Sequence, residues 1–227
     1  MTASARGLFR ATGKTAKPVM VDLLCGEAVY ADEPLREKDD FYPTPPEPTR
    51  ALLRAEMQRL RDFPVIWEPA CGDGAMVREI RAAGLNCFGT DLIQRTDGTD
   101  PDLWISDFFA EPICPRGAKA IITNPPYHLI NERDGKGAWV WHAMETLKVD
   151  YMALLLSWSW PGAGGHARLW QEHPPARVYL MRWKIDFTGA GAPPMLNAWF
   201  VWDRQHKGET VLRMLDRNDD ARQEVLL

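Results

Sequence analysis

Four consecutive residues near the middle of the chain, Asn124-Pro125-Pro126-Tyr127, could together hold a planar amino or amide group. They follow the apolar stretch 118–123, which predicts a buried strand, and the prolines end that strand because they cannot donate to a sheet ladder. The side-chain oxygen of Asn124 and the carbonyl oxygen of Pro125 are two acceptors, and the ring of Tyr127 can stack beside them. The pattern therefore predicts a site for an adenine, a guanine, a cytosine or a glutamine side chain.

A second candidate site is the turn Glu68-Pro69-Ala70-Cys71-Gly72-Asp73-Gly74, which joins a predicted strand to a predicted helix. Glycine lets a ligand approach the backbone closely, and the N-terminus of the helix favours a carboxylate or phosphate. The glycines do not form the GxGxxG fingerprint of dinucleotide sites. Taken alone, the turn fits either a nucleotide-like ligand or a purely structural connection.

Acidic residues follow the next two predicted strands. Asp91 comes about 20 residues after the glycine turn, where an acid can bind the hydroxyls of a ribose. Asp107 stands beside Phe108 and Phe109, so the acid could accept from the amino group of an adenine while a phenylalanine covers the ring. Packing in the core is an equally good explanation for either phenylalanine.

Strands and helices alternate along the part of the chain that must position these residues. This alternation predicts a parallel, doubly wound sheet with ligand sites at the carboxyl ends of its strands. The last two strands are joined by a connection rich in glycine and proline, which predicts an antiparallel hairpin at the sheet edge. The predicted strands are 65–67, 85–90, 102–106, 118–123, 151–157, 177–183 and 197–204, and the predicted helices are 47–60, 74–83 and 138–147.

Three short motifs occur in a fixed order: Asp40-Phe41-Tyr42-Pro43-Thr44-Pro45, the turn from Glu68 to Gly74, and Asn124-Pro125-Pro126-Tyr127. Together they resemble the S-adenosylmethionine-dependent DNA adenine-N6 methyltransferases of the NPPY type, above all the small phage-type or orphan members. The resemblance covers about residues 40–204. It implies a Rossmann-like, doubly wound, seven-stranded methyltransferase sheet that is mostly parallel with an antiparallel C-terminal hairpin.

The resemblance also implies a role for each matching residue, with S-adenosyl-L-methionine as the cofactor and no metal site. The catalytic residues around the target base would be Asn124, Pro125, Pro126 and Tyr127. The cofactor-binding residues would be Tyr42, Thr44 and Pro45 at the methionine end, Glu68, Ala70, Gly72 and Gly74 along the cleft, Asp91 at the ribose, and Asp107 and Phe108 at the adenine.

The implied reaction is methyl transfer to N6 of an adenine that is flipped out of DNA. Hydrogen bonds to Asn124 and Pro125 would localise the lone pair on N6, so that no separate general base is needed before the nitrogen attacks the methyl group. Methyltransferases for another planar nitrogen, guanine N2 in rRNA or glutamine in a release factor, are alternatives. The glutamine enzymes have more glycines in the cofactor loop. A catalytically silent binding module is a third alternative, but it would not need all four residues of the Asn124 motif.

Composition and charge bear on nucleic-acid binding, on the cellular compartment and on membrane insertion. A net charge of −4 over 227 residues argues against a protein that coats nucleic acid with its whole surface, and it predicts weak, salt-sensitive DNA binding unless basic residues cluster. The 4 cysteines are scattered without metal-binding spacing, which favours reduced thiols in a cytoplasm. No apolar run of about 18 residues and no apolar signal core is present, so we expect neither a membrane span nor secretion.

The predicted domain organisation has three parts. A partly basic arm and loop at 1–40 is followed by the methyltransferase domain at 41–204 and a C-terminal extension at 205–227. Large members of the family carry a separate target-recognition domain, for which this chain has no room. We therefore expect DNA sequence to be read by loops, by the arm or by a second subunit of a homodimer. The candidate loops are 128–137, 158–173 and 188–196.

Overall fold

The computed structural model describes residues 19–21, 28–30, 43–126, 130, 137–162, 164–189, 191 and 195–217. These residues belong to two units that are divided between Asp40 and Phe41. In the first unit, strands β1 (Val19–Val21) and β2 (Ala28–Tyr30) form an antiparallel pair within the stretch predicted as arm and loop. The other described elements all belong to the second unit.

The second unit is built on an eight-stranded sheet. Its strands are β3 (Ile66–Glu68), β4 (Cys87–Asp91), β5 (Leu103–Ile105), β6 (Ala120–Thr123), β7 (Tyr151–Ser157), β8 (Arg177–Met181), β9 (Asn197–Asp203) and β10 (Val211–Leu215). They lie in the order β10-β8-β9-β7-β6-β3-β4-β5. Strand β9 is antiparallel to both of its neighbours, and the other neighbouring pairs are parallel.

Helices cover both faces of this sheet. One apolar core lies under α1 (Pro46–Leu60) and α2 (Ala75–Ala82). The other lies under α3 (Ala138–Trp141), the π-helical turn His142–Thr146 that continues it, and α4 (Ala167–Glu172). Short 3-10 turns occur at Phe108–Ala110, Pro115–Gly117, Trp160–Gly162 and Gly164–His166. Within the described ranges, none of the helices is long and apolar enough to cross a membrane.

The central strands are buried on both faces, which explains why they read as continuous apolar runs. In β7 the side chains from Tyr151 to Leu156 are all buried, alternately in the two cores. Parallel strands covered by helices on both sides have this composition. The prediction of a Rossmann-like, doubly wound, mostly parallel sheet with antiparallel C-terminal strands is confirmed.

The sheet differs from the prediction at one edge. Strands β8 and β9 do pair in an antiparallel manner, but they do not form the edge, because β10 pairs in parallel with β8 outside them. The eighth strand was not predicted. Its apolar run is short, and the first four of its five residues are exposed.

A largely buried group of charged side chains joins α1 to strands β8 and β9. Glu56 accepts hydrogen bonds from Nε and Nη2 of Arg177, both at 2.7 Å, and from the hydroxyl of Tyr179. Nη2 of Arg177 also donates to Asp203 at 2.9 Å, and Nε of Arg59 donates to the same carboxylate at 3.1 Å. This ion network lies where β8 begins and β9 ends, which is the edge of the sheet opposite to the carboxyl ends of the parallel strands.

Candidate active site

The carboxyl ends of four neighbouring strands carry most of the residues predicted to bind ligands. Strands β5, β4, β3 and β6 lie side by side and run parallel, so their carboxyl ends meet at one edge. Asp107 lies just after β5, Asp91 ends β4, Glu68 ends β3 and Asn124 follows β6. The fold thus gathers at one edge side chains that are far apart in the sequence.

The turn after β3 depends on glycine at two positions. Gly72 and Gly74 have φ angles of +54° and +81°, values that residues with a side chain rarely adopt. The N–H of Gly72 donates to Oδ2 of Asp91 at 2.8 Å, and the N–H of Gly74 donates to the carbonyl of Cys71 at 2.7 Å. A Cβ at Gly74 would also lie 2.9 Å from Cδ1 of Leu103. The turn is therefore tied directly to the end of β4.

A third glycine, Gly89 inside β4, shapes this turn and was missed in the sequence. A Cβ at Gly89 would lie 2.6 Å from Cβ and 2.9 Å from Sγ of Cys71, closer than real side chains approach. The absence of a side chain thus lets the turn lie directly on β4. A glycine inside a strand is a known sign of such close approach, and that signal was available in the sequence.

Asp91 links the turn to the loop that follows β4. Its Oδ2 accepts from Gly72, and its Oδ1 accepts from the N–H of Ile93 at 3.0 Å. Each carboxylate oxygen can accept more than one hydrogen bond. Asp91 therefore keeps acceptor capacity for ligand hydroxyls while it holds the backbone on both sides.

Two exposed apolar side chains stand beside Asp91 and were also missed. Leu92 is 58% exposed, and Ile105, which pairs with Asp91 across the sheet, is 57% exposed. The signal for Leu92 in the sequence is an apolar residue directly after a strand-ending acid, where the core no longer needs one. They give this end of the edge an apolar surface.

Glu68 is a buried acid at the centre of the edge. It is 2% exposed, and its Oε2 has no hydrogen-bond partner among the described residues. Burial, and then the nearby charge of Asp91, raise the pKa of Glu68 well above its usual range, while a hydrogen bond from the backbone of Val77 lowers it in part. A protonated carboxyl can donate as well as accept. Glu68 is thus a polar group that a ligand could satisfy.

Asp107 and Phe108 form the start of a 3-10 turn. Oδ1 of Asp107 accepts from the N–H of Phe109 at 2.9 Å. The ring of Phe108 is 3% exposed and stacks on Trp139, with ring centroids 4.0 Å apart and an interplanar angle of 12°. The Phe108 ring is thus packed in the core, and one of its faces is covered by Trp139. A role of the two residues at the cofactor adenine stays a prediction.

Asn124 is joined to the first of the three sequence motifs. Its side-chain nitrogen Nδ2 donates to Oγ1 of Thr44 at 3.1 Å, across 80 positions of sequence. Asn124 is half-buried and Pro125, which follows it, is buried. The contact brings the segment before α1 to the carboxyl end of β6, and no local pattern in the sequence predicts it.

The remaining predicted site residues are placed as follows. Tyr42 and Tyr127 lie outside the described residues. Pro45 is the N-cap of α1 and is half-buried, as are Ala70 in the turn after β3 and Pro126 after β6. Their roles stay predictions.

Comparison with known proteins relates this sheet to solved methyltransferase structures. No protein-family model and no curated protein sequence matches the chain. A protein proposed as an RNA methyltransferase, from Pyrococcus horikoshii, aligns with a TM-score of 0.52 and 12% identity over 71% of this chain and 85% of its own. The modification subunit of a proposed type I restriction enzyme from Vibrio vulnificus aligns with a TM-score of 0.50 and 15% identity over 75% of this chain and 45% of its own. At these identities the likeness shows the fold alone, which this chain shares with the two solved structures.

Proposed function

We propose that the protein is a DNA methyltransferase that transfers a methyl group from S-adenosyl-L-methionine to N6 of a flipped-out adenine. The observation that carries the proposal is the convergence at one sheet edge of Asn124 and Pro125 with the turn from Glu68 to Gly74 and with Asp91. Open sheets of this kind bind their ligands at this edge.

The residues at the edge fit S-adenosylmethionine. Oε2 of Glu68 is a buried polar atom that lacks a protein partner among the described residues, as a ligand-binding atom would before its ligand arrives. Asp91 has acceptor capacity for the ribose hydroxyls, and Leu92 offers an apolar surface to the adenine. Because they have no Cβ, Gly74 can pack closely against Leu103 and Gly89 against Cys71, which holds the turn after β3 close to the sheet. When bound, the cofactor supplies a methyl group on a sulfonium ion.

The protein's own contribution to the chemistry is alignment of the amino nitrogen. The lone pair of an adenine N6 is delocalised into the ring and is a weak nucleophile. Hydrogen bonds from the two N6–H groups to Oδ1 of Asn124 and to the carbonyl of Pro125 would favour a tetrahedral nitrogen with a localised lone pair. Pro126 has no N–H that could compete for these acceptors, and Tyr127 would stack on the base. A rigid turn suits catalysis by positioning.

The choice of DNA rests on the three sequence motifs. The two structural neighbours point to different nucleic acids, since one is a proposed RNA methyltransferase and the other a modification subunit of a restriction enzyme. We also propose a cytoplasmic location, because Cys71, Cys87 and Cys114 are free and buried thiols. A homodimer and reading of the DNA sequence by loops or by the N-terminal arm stay predictions.

Incubation with labelled S-adenosylmethionine tests the function directly. The protein is mixed in turn with unmethylated plasmid DNA, rRNA and a release factor. Label recovered as N6-methyladenine in DNA supports the proposal, and label in rRNA or protein alone refutes it. Cofactor binding without transfer to any of the three would indicate a silent binding module.

Replacement of Asn124 separates catalysis from cofactor binding. Asn124→Ala should lower the rate of methyl transfer by about 100-fold or more, because it removes an acceptor aimed at the reacting nitrogen. The Kd for S-adenosylmethionine, measured by equilibrium dialysis, should stay within about twofold of wild type. Asn86→Ala is the matched control, since Asn86 is exposed and bonds to Pro64 before the start of β4. Loss of cofactor binding in Asn124→Ala would show that this division of the edge is wrong.

A further inference from the structure

The hydrogen bond between Asn124 and Thr44 ties the Nδ2 end of the asparagine amide to the segment before α1. A side-chain amide has a donor end and an acceptor end of nearly the same shape, so only its partners decide its orientation. Nδ2 of Asn124 lies 3.1 Å from Oγ1 of Thr44 and donates to it. Oδ1 is therefore turned away from Thr44 and is left for another donor.

Thr44 lies on a backbone that is well suited to hold this orientation. Prolines at positions 43, 45 and 46 surround it in sequence, and their rings fix φ. Helix α1 begins directly after this segment, and its first turn is anchored by a hydrogen bond of 2.9 Å from Nε1 of Trp199 in β9 to the carbonyl of Pro48. The hydroxyl of Thr44 is thus carried by a stiff segment that is attached to the sheet.

We propose that Thr44 is a positioning residue that holds the Asn124 amide with Oδ1 directed at the amino group of the substrate. The inference rests on the proposed function, because it takes Oδ1 as an acceptor for the reacting nitrogen. It gives Thr44 a task on the substrate side of the cleft, in addition to the contact with the cofactor that the resemblance implies. A flipped amide would set Nδ2 against the substrate amino group, donor against donor, and would leave Pro125 as the single acceptor of the pair.

Two substitutions of Thr44 test this task. Thr44→Val keeps the shape of the side chain but removes the acceptor, and Thr44→Ser keeps the hydroxyl. We expect Thr44→Val to lower the single-turnover rate on unmethylated plasmid DNA roughly 5- to 10-fold, the effect of one neutral hydrogen bond. Thr44→Ser should restore most of the rate. The rate is measured at saturating S-adenosylmethionine, so that weaker cofactor binding in Thr44→Val does not by itself lower it.

Thr49→Val is the matched control for the loss of a threonine hydroxyl. Thr49 lies in the first turns of α1, is fully buried, and has an Oγ1 without a hydrogen-bond partner among the described residues. It should transfer methyl groups at the wild-type rate. A wild-type rate in Thr44→Val, or a loss of cofactor binding with an unchanged rate at saturating cofactor, would overturn the proposal.

A second measurement does not depend on activity. The side-chain amide signals of Asn124 in a nitrogen-15 NMR spectrum are identified by their absence in Asn124→Asp, and their hydrogen exchange is then compared between variants. Exchange should be several-fold faster in Thr44→Val than in wild type or Thr44→Ser, and equal exchange would overturn the proposal. If the wild-type protein methylates no DNA, the proposed function fails, yet this exchange still decides whether Thr44 holds the amide.

Discussion

Glu68 and Asp91 are two acidic residues at the same edge of the sheet, but their surroundings differ. Asp91 accepts from two backbone N–H groups, whereas Oε2 of Glu68 has no hydrogen-bond partner among the described residues. The raised pKa of Glu68 follows from burial first and from the charge of Asp91 second. A buried carboxyl kept neutral can donate to a ligand or, when a cation approaches, give up its proton and pair with it. The protonation state of Glu68 therefore makes both ligand binding and the stability of the folded protein depend on pH.

This coupling predicts how stability depends on pH. Because the folded state raises the pKa of Glu68, its contribution to stability is fully present below the usual glutamate pKa of about 4.3 and is lost as pH rises through the folded value. Within that window the free energy of unfolding of the wild-type protein should fall with pH more steeply than that of Glu68→Gln, by up to about 1.4 kcal/mol per pH unit. Urea denaturation between pH 4.5 and pH 8, in the absence of cofactor, measures both slopes.

Glu209→Gln serves as the control for this titration. Glu209 is exposed, so its replacement should give a curve parallel to that of the wild-type protein. Parallel curves for wild type and Glu68→Gln would mean that Glu68 is ionised in the folded protein, against the effect of its burial.

At the scale of elements, the close packing of the β3 turn on β4 positions the cofactor half of the edge. Gly89→Ala would place a Cβ 2.6 Å from Cβ of Cys71, so the turn must move away from the strand. We expect a loss of about 1–3 kcal/mol in the free energy of unfolding, typical of overpacking, together with weaker binding of S-adenosylmethionine. Gly162→Ala is the control, since a Cβ there meets nothing within 4 Å, and it should change stability by less than about 0.5 kcal/mol. Urea denaturation measures the stability of both variants, and equilibrium dialysis measures their affinity for S-adenosylmethionine. Wild-type cofactor affinity in Gly89→Ala would contradict this role of the turn.

The elements that could be predicted from the sequence are those buried on both faces. Strands such as β7 and β9 are recognisable because burial on two sides forces a continuous apolar run. Helix α4 and strand β10 escaped prediction because they bury little. In α4 the apolar residue in the core is Leu169, and in β10 the buried residue is Leu215. Periodicity needs several buried positions before it rises above chance.

The candidate site, too, could be predicted from the sequence only in part. Asp91, Asp107 and Asn124 could be predicted to lie along one edge, because the ends of parallel strands share an edge whatever the details of packing. The contact of Asn124 with Thr44 could not, and for Gly89 the sequence indicates a close approach but not that Cys71 is the partner. Both contacts join residues that are distant in sequence, and they depend on how α1 and the turn pack against the sheet.

At the scale of the whole second unit, the ion network around Glu56 at the opposite edge joins elements that are distant in the sequence. It joins α1, whose preceding segment carries Thr44, to Arg177 at the start of β8 and Asp203 at the end of β9. Glu56 is buried, so removal of its carboxylate would leave the guanidinium of Arg177, whose side chain is 14% exposed, with Asp203 as its remaining carboxylate partner. Breaking a buried pair from one side is far more costly than breaking one at the surface.

Glu56→Ala should therefore lower the free energy of unfolding by about 3–5 kcal/mol, a large part of the 5–15 kcal/mol that such a domain has. The exposed pair of Arg168 and Glu172, 2.6 Å apart at its closest, is the control, and Glu172→Ala should cost only about 0.3–0.5 kcal/mol. Urea denaturation at low and high salt separates the two cases, because screening weakens the surface pair and not the buried one. Since α1 also positions Thr44, the methyl transfer rate of Glu56→Ala should fall at temperatures where the protein is still folded. Similar costs for the two substitutions would show that the network contributes no more than an ordinary surface ion pair.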